Sequence, residues 1–201
     1  MIDAIQVFAT LAIFWSSICA VFMTHNSTIL TLTHLEQFGR MFHKAFEAKR
    51  EDEIRAKLYH CVRYHNHILR IGAHISQLTK GTLGHISLTS AICLGCIGNQ
   101  ILNERSIRAF MHLAGFAVGF FMVCFAGQKM IDETSSIREV VYFAKWYEAP
   151  PALIRDVKYI IARCEIPITL PALPLGVLGY PLYLMIVKTS YSYLTLLNQT
   201  T

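Results

Sequence analysis

Long stretches of this chain carry no Asp, Glu, Lys or Arg, and they alternate with stretches in which apolar residues recur at helical spacing. Four runs free of Asp, Glu, Lys and Arg stand out: Ala4 to Leu35, Gly81 to Asn103, Ala109 to Gln128, and Ile166 to Val187. About 20 apolar residues rising about 1.5 Å each span a hydrocarbon core of about 30 Å, so each run is long enough to cross a bilayer. The first, at 32 residues, exceeds that need, and its His25, Asn26 and His34 suit an exit into water. The predicted architecture is all-α: spans over 2–36, 81–103, 107–128 and 174–198, with helical loops over 37–80 and 129–173.

Neither loop reads as a flexible linker. Leu58, Cys61, Val62, His65, Ile68, Leu69, Ile71, Gly72 and Ile75 form the i, i+3, i+4, i+7 stripe of an amphipathic helix. Ile137, Val140, Val141 and Ala144 repeat it, as do Ile154, Val157, Ile160 and Ile161. These helices are expected to pack together as a bundle that extends the membrane helices. The last run differs in kind, because Pro167, Pro171, Pro174 and Pro181 with Gly176 and Gly179 are incompatible with one straight helix. Proline removes a donor and disfavours helix in the residue before it, which predicts a break near Pro171 to Pro174 and a final helix from about Leu175 to Asn198.

Composition agrees with a bilayer, since 54% of the 201 residues are hydrophobic and only 15% charged, too apolar for an ordinary soluble domain. Charge sets an orientation. Nine of the 18 basic residues lie in 36–80 and six in 129–165, against three in the remaining connections and ends. The positive-inside rule therefore puts both long loops in the cytosol and both ends of this chain outside. The net charge of +5 belongs to those loops beside an anionic leaflet and gives no reason to invoke nucleic acid. An external start with a span at the first residues reads as the latter part of a longer protein.

Candidate chemistry is sparse. Cys93 and Cys96 form a C-x-x-C without a second ligand pair. His60, His65, His67 and His74 with Cys61 have ligand chemistry, but His65 is turned from the face that His60 and His67 share, and no carboxylate orients them. A packed or surface role is favoured, so no metal and no cofactor is expected. No acidic residue lies in any of the four runs, which argues against an intramembrane enzyme. A half-transporter remains an alternative because broken spans often mark substrate sites, but it calls for a matching broken span. Gly115 and Gly119 make a G-x-x-x-G that permits close helix contact.

Four ordered stretches resemble the insect odorant receptor family. They are LYHCVRYHNHI from Leu58 to Ile68, the Tyr-x-x-x-Trp-Tyr of Tyr142, Trp146 and Tyr147, the Arg-led stretch from Arg155 through Arg163 to Pro167, and VKTSYSYLTLL from Val187 to Leu197. The Ser190-Tyr191-Ser192-Tyr193 core of the last is the most specific. Glu165 and Ile166 depart from the family's Gln and basic residue before the proline. A gustatory-type receptor, the nearest alternative, carries Thr-Tyr and later Gln-Phe in its last span.

The resemblance implies the last four of seven spans of a receptor that forms a ligand-gated cation channel, as a hetero-tetramer with a co-receptor, in the plasma membrane. It implies a pore lined by the last helix, for which spacing nominates Val187, Tyr191, Leu194 and Asn198. It implies a cytosolic subunit anchor, with Tyr142, Trp146, Arg155, Arg163 and Pro167 as its marked residues. A volatile ligand is expected among the outer halves of the spans, where Phe8, Phe14, Trp15, Phe110 and Phe116 are the candidate contacts.

Overall fold

The computed structural model describes residues 2–48, 50–104 and 107–200, with side chains described at 15, 18–48, 50–102 and 107–196. Among the described residues there are five α-helices: α1 (Ile2–Ala45), α2 (Glu51–Glu104), α3 (Ile107–Tyr142), α4 (Pro151–Cys164) and α5 (Tyr180–Thr200). A short antiparallel pair, β1 (Pro171–Ala172) with β2 (Gly176–Val177), lies between α4 and α5. Two stretches, Glu51–Leu102 and Ile107–Glu148, each hold an 18-residue window apolar enough to cross a membrane.

The expected boundaries at 80/81 and 128/129 are not helix ends, for α2 runs unbroken through the first and α3 through the second. No proline occurs between Glu51 and Tyr142, and the amphipathic stripes keep their phase into the apolar runs, so nothing in the chain ends a turn there. The break before α5 is wider than the expected Pro171 to Pro174, extending from Glu165 to Gly179, and the final helix begins at Tyr180 rather than about Leu175. Pro167, Pro171 and Pro174 cannot donate to a helix ladder, whereas Pro181 sits in the first turn of α5, where a missing N–H costs nothing. Gly176, at φ 129°, takes a conformation that side-chain-bearing residues rarely adopt.

The chain divides into two compact units. One comprises Ser27–Gln77 and Lys129–Thr169. Its core is built from Phe38 and Phe42 of α1, Leu58, Cys61 and Ile68 of α2, Ile137 and Val141 of α3, and Val157, Ile160 and Cys164 of α4. Most of the stripe residues expected from spacing pack here, whereas Val62, also counted in the α2 stripe, is left exposed. Gly39 and Gly72 allow close approach, since a methyl on either would come within 3 Å of Val140 and Ile168 respectively. The hydroxyl of Thr134 donates to the Met130 carbonyl at 2.6 Å and accepts from the Ile168 N–H at 3.2 Å, which fixes the segment after α4 onto α3.

The other unit comprises Met1–Asn26, Leu78–Gln128 and Leu170–Thr201. Within it the connector is pinned on both sides. The Leu173 N–H donates to the Lys80 carbonyl at 3.3 Å and the Leu178 N–H to that of Leu170 at 2.8 Å. The bare backbone of Gly84 faces the Leu173 carbonyl, and that of Gly127 faces Leu178. Leu170, Ala172 and Leu178 are fully buried as a result.

Candidate functional site

The last helix is the element on which the pore expectation rests, and its seat is a groove of small residues. Along α2, Ala91, Gly95 and Gly98 follow at i, i+4 and i+7, so they share one face. The Ser190 hydroxyl donates to the Ala91 carbonyl at 3.3 Å, the Tyr193 ring lies against Gly95, and the Leu194 methyls lie against Gly98. Leu182, Ile186 and Ser190 form the buried stripe of α5. On the α3 side, Phe121 stacks on Tyr180 with 10° between ring planes, and Phe120 meets Tyr183 at 5.8 Å between centroids. The Gln128 carboxamide oxygen accepts from the Tyr180 N–H at 3.3 Å, giving a partner to one of the donors that a helix start leaves over.

Against that seat the four candidate pore residues separate. Val187 is partly exposed and Tyr191 is 66% exposed, on the face of α5 that adjoins the Ser190 stripe. Leu194 is half-buried against Gly98, on the flank of the helix rather than the middle of its open face. The Asn198 side chain lies outside the described residues.

Of the candidate ligand contacts, Phe8 and Phe14 lie outside the described side chains, whereas Trp15 is 70% exposed and Phe110 and Phe116 are exposed on α3. Among the anchor residues, Tyr142 and Trp146 meet edge to face at 6.3 Å, and the Trp146 indole N–H donates to the Tyr142 carbonyl at 3.0 Å. Phe143, Tyr147 and Tyr159 are exposed on the same unit. Arg155 and Arg163 are exposed and Pro167 is half-buried. Arg163 lies close enough to His65 to act on its charge. No group of three His, Cys, Asp or Glu side chains among the described residues is placed to hold a metal ion.

His65 and its two cysteine neighbours are structural. The imidazole stacks on Phe38 and its Nε2 lies 3.9 Å from Cys164 Sγ. Burial, and secondarily Arg163, pushes its pKa down to about 4. Burial pushes the thiols of Cys61 and Cys164 up to about 11, which leaves them unreactive. The seat residues Ala91, Gly95, Gly98, Gly84, Gly127 and Gln128 were not among the sequence candidates. The small-residue spacing of the first three was the available signal, of the same kind as Gly115 and Gly119, near which a Cβ would meet nothing within 4 Å.

Comparison with known proteins gives a consistent result. A family model described as 7tm odorant receptor matches residues 1–191. The odorant receptor coreceptor of Aedes aegypti is 23% identical over 156 residues, covering 75% of this chain and 33% of that protein. Odorant receptor 67c of Drosophila melanogaster is also 23% identical, over 142 residues, covering 69% of this chain and 35% of its own length. The insect olfactory receptor OR5 from Machilis hrabei, solved in complex with eugenol, superposes with a TM-score of 0.80 at 14% identity, over 99% of this chain and 53% of that one. The chain thus spans about a third of the length of the curated relatives it matches.

Proposed function

Since the chain belongs to the 7tm odorant receptor family, a family of multi-pass helical membrane proteins and not of enzymes, we propose that it supplies the C-terminal part of an odorant-binding subunit. That subunit joins a co-receptor in a hetero-tetrameric, ligand-gated cation channel of the plasma membrane and serves olfactory transduction. Four spans cross the bilayer, the stretches 37–80 and 129–173 lie in the cytosol, and both ends of this chain lie outside. The ligand is a volatile small molecule held among the spans. No nucleic acid takes part.

The observation that carries this reading is the two-sided character of α5. One stripe is seated in the α2 groove through Ser190, whereas Tyr191, about 100° further round the helix, stands exposed with Val187 on the adjoining face. A helix with one face seated and the other open is what a pore wall repeated around an axis requires. Tyr142, Phe143 and Tyr147, around the half-buried Trp146, supply an exposed aromatic surface, the composition that favours association between subunits.

The test joins this chain to the N-terminal part of a full-length relative and expresses the product with a co-receptor. Odorant-evoked cation current should become sensitive to an external thiol reagent in Val187→Cys, Tyr191→Cys and Asn198→Cys. It should stay insensitive in Ile186→Cys and Ser190→Cys. Sensitivity at Ile186 with none at Tyr191 would reverse the pore face. Absence of any odorant-dependent current from an expressed, surface-delivered chimera would overturn the receptor role.

A further inference from the structure

On α2, His60, Arg63, His67, Arg70 and His74 follow one another at intervals of three or four residues, so all five rise along one face over about 21 Å. All five side chains are exposed. The first four, with Asn66 and with Met41 of α1, line a cleft of about 720 Å³ within one compact unit. No carboxylate lines it. Elsewhere on the same hairpin three basic residues are matched at i, i+4: Arg40 with Glu36, Arg55 with Glu51, Lys57 with Glu53. Among the described residues no carboxylate reaches Arg63 or Arg70 within ion-pair distance.

A solvated charged face would carry both signs, since like charges one turn apart disfavour the helix and opposite ones support it. Here two guanidiniums are spaced two turns apart, and imidazole and carboxamide N–H groups fill the intervals. Arg63 is steered by the Tyr59 ring, 5.9 Å from its guanidinium carbon. Tyr64, at the cleft wall, is held by a 2.7 Å hydrogen bond to His34 Nδ1 of α1. The donors therefore converge on a concave surface with no acceptor of matching charge. Planar forks of this kind take phosphate oxygens two at a time.

We propose that this cleft binds a ligand carrying two or more phosphate groups, one clasped by Arg63 with His60, another by Arg70 with His67. Such a ligand is supplied either free in the cytosol or as a lipid headgroup. The site makes no use of the pore or of an odorant, so its test is independent of the channel reading.

The whole chain is reconstituted in nanodiscs of zwitterionic lipid and titrated with inositol hexakisphosphate by calorimetry. In parallel, nanodiscs doped with a phosphatidylinositol bisphosphate are examined for lipid retained on the chain by native mass spectrometry. Binding of the free probe that weakens with added salt and falls about tenfold or more in Arg63→Gln/Arg70→Gln supports the site with a soluble ligand. Selective lipid retention lost in the same variant supports it with a headgroup. Arg55→Gln, which removes a paired arginine, leaves both signals unchanged. Binding that survives Arg63→Gln/Arg70→Gln, binding in neither arm, or tighter binding of an acidic peptide than of the phosphate probe overturns the proposal.

Discussion

The imidazole of His65 lies parallel to the ring of Phe38, with centroids 4.8 Å apart and 25° between planes, in the core shared by α1, α2 and α4. Burial holds the ring neutral. Its folded pKa is about 4 against an ordinary value of 6.5, so between those limits the unfolded chain binds a proton that the folded chain refuses. Stability is then unaffected above about pH 6.5, declines as pH falls through that window, and levels off below about pH 4. Each tenfold loss of proton affinity is worth about 1.4 kcal/mol, which makes the full effect on the order of 3 kcal/mol. His65→Leu, close to the imidazole in volume, should remove this component. Thermal unfolding followed by loss of helical circular dichroism, from pH 7.5 down to 4.5, should show a shallower decline in the variant. Parallel curves would mean that His65 is not the titrating group.

The connector before α5 offers a second prediction. Gly84 has no room for a side chain because the Leu173 backbone carbonyl fills the place, whereas nothing lies within 4 Å of a Cβ at Gly81, three residues earlier on the same helix. Gly84→Ala should therefore destabilise by about 1–3 kcal/mol, the range for overpacking against groups that yield poorly. Gly81→Ala should be neutral or stabilise by up to about 1 kcal/mol, since alanine is the better helix former. Equal melting temperatures for the two variants would show that the connector does not press on α2.

Thr134 gives the third. Thr134→Val keeps the shape but removes the oxygen that accepts from the Ile168 N–H, leaving a buried donor without a partner at a cost of about 1–3 kcal/mol. Thr134→Ser retains the acceptor. A Val variant as stable as wild type, or a Ser variant as unstable as Val, would rule out the hydrogen bond as the stabilising feature.

What was legible in the sequence was whatever follows from periodicity. Leu58, Cys61, His65 and Ile68, with Ile137, Val141, Val157 and Ile160, are buried as their spacing requires, because a side chain's face on a helix is fixed by its position, whereas Val62 falls at the edge of the stripe and is exposed. Continuity of α2 through Lys80–Gly81 agrees with cytosolic helices that extend the spans, since a charge marks a change of solvent and does not end a turn. The width of the break before α5 was not legible. Prolines locate where a helix cannot continue, but the start at Tyr180 also depends on the distant Gln128 carboxamide, 52 residues away. The pore stripe follows from the spacing of α5 alone. Which side is seated depends on Ala91, Gly95 and Gly98 of another helix, and that pairing turns Leu194 toward a neighbour while leaving Tyr191 open.

That last relationship is itself testable, because it assigns Leu194 a partner. A Cβ added at Gly98 would lie 2.5 Å from Leu194 Cδ1, so Gly98→Ala forces the leucine out of its rotamer or shifts α5, at about 1–3 kcal/mol. Leu194→Ala alone loses the methyl contacts and leaves room. Combined, the new methyl at position 98 enters the space that the leucine vacates. The double variant should then be more stable than the sum of the single effects predicts, with a coupling of about 0.5–3 kcal/mol, the range for residues in contact. Thermal unfolding of the four proteins closes the cycle. Additive effects would separate Leu194 from Gly98 and return it to the open face beside Tyr191, where an apolar constriction of the pore would be its role. Positive coupling instead makes Leu194 part of the seat, and directs the search for that constriction to Val187 and Tyr191.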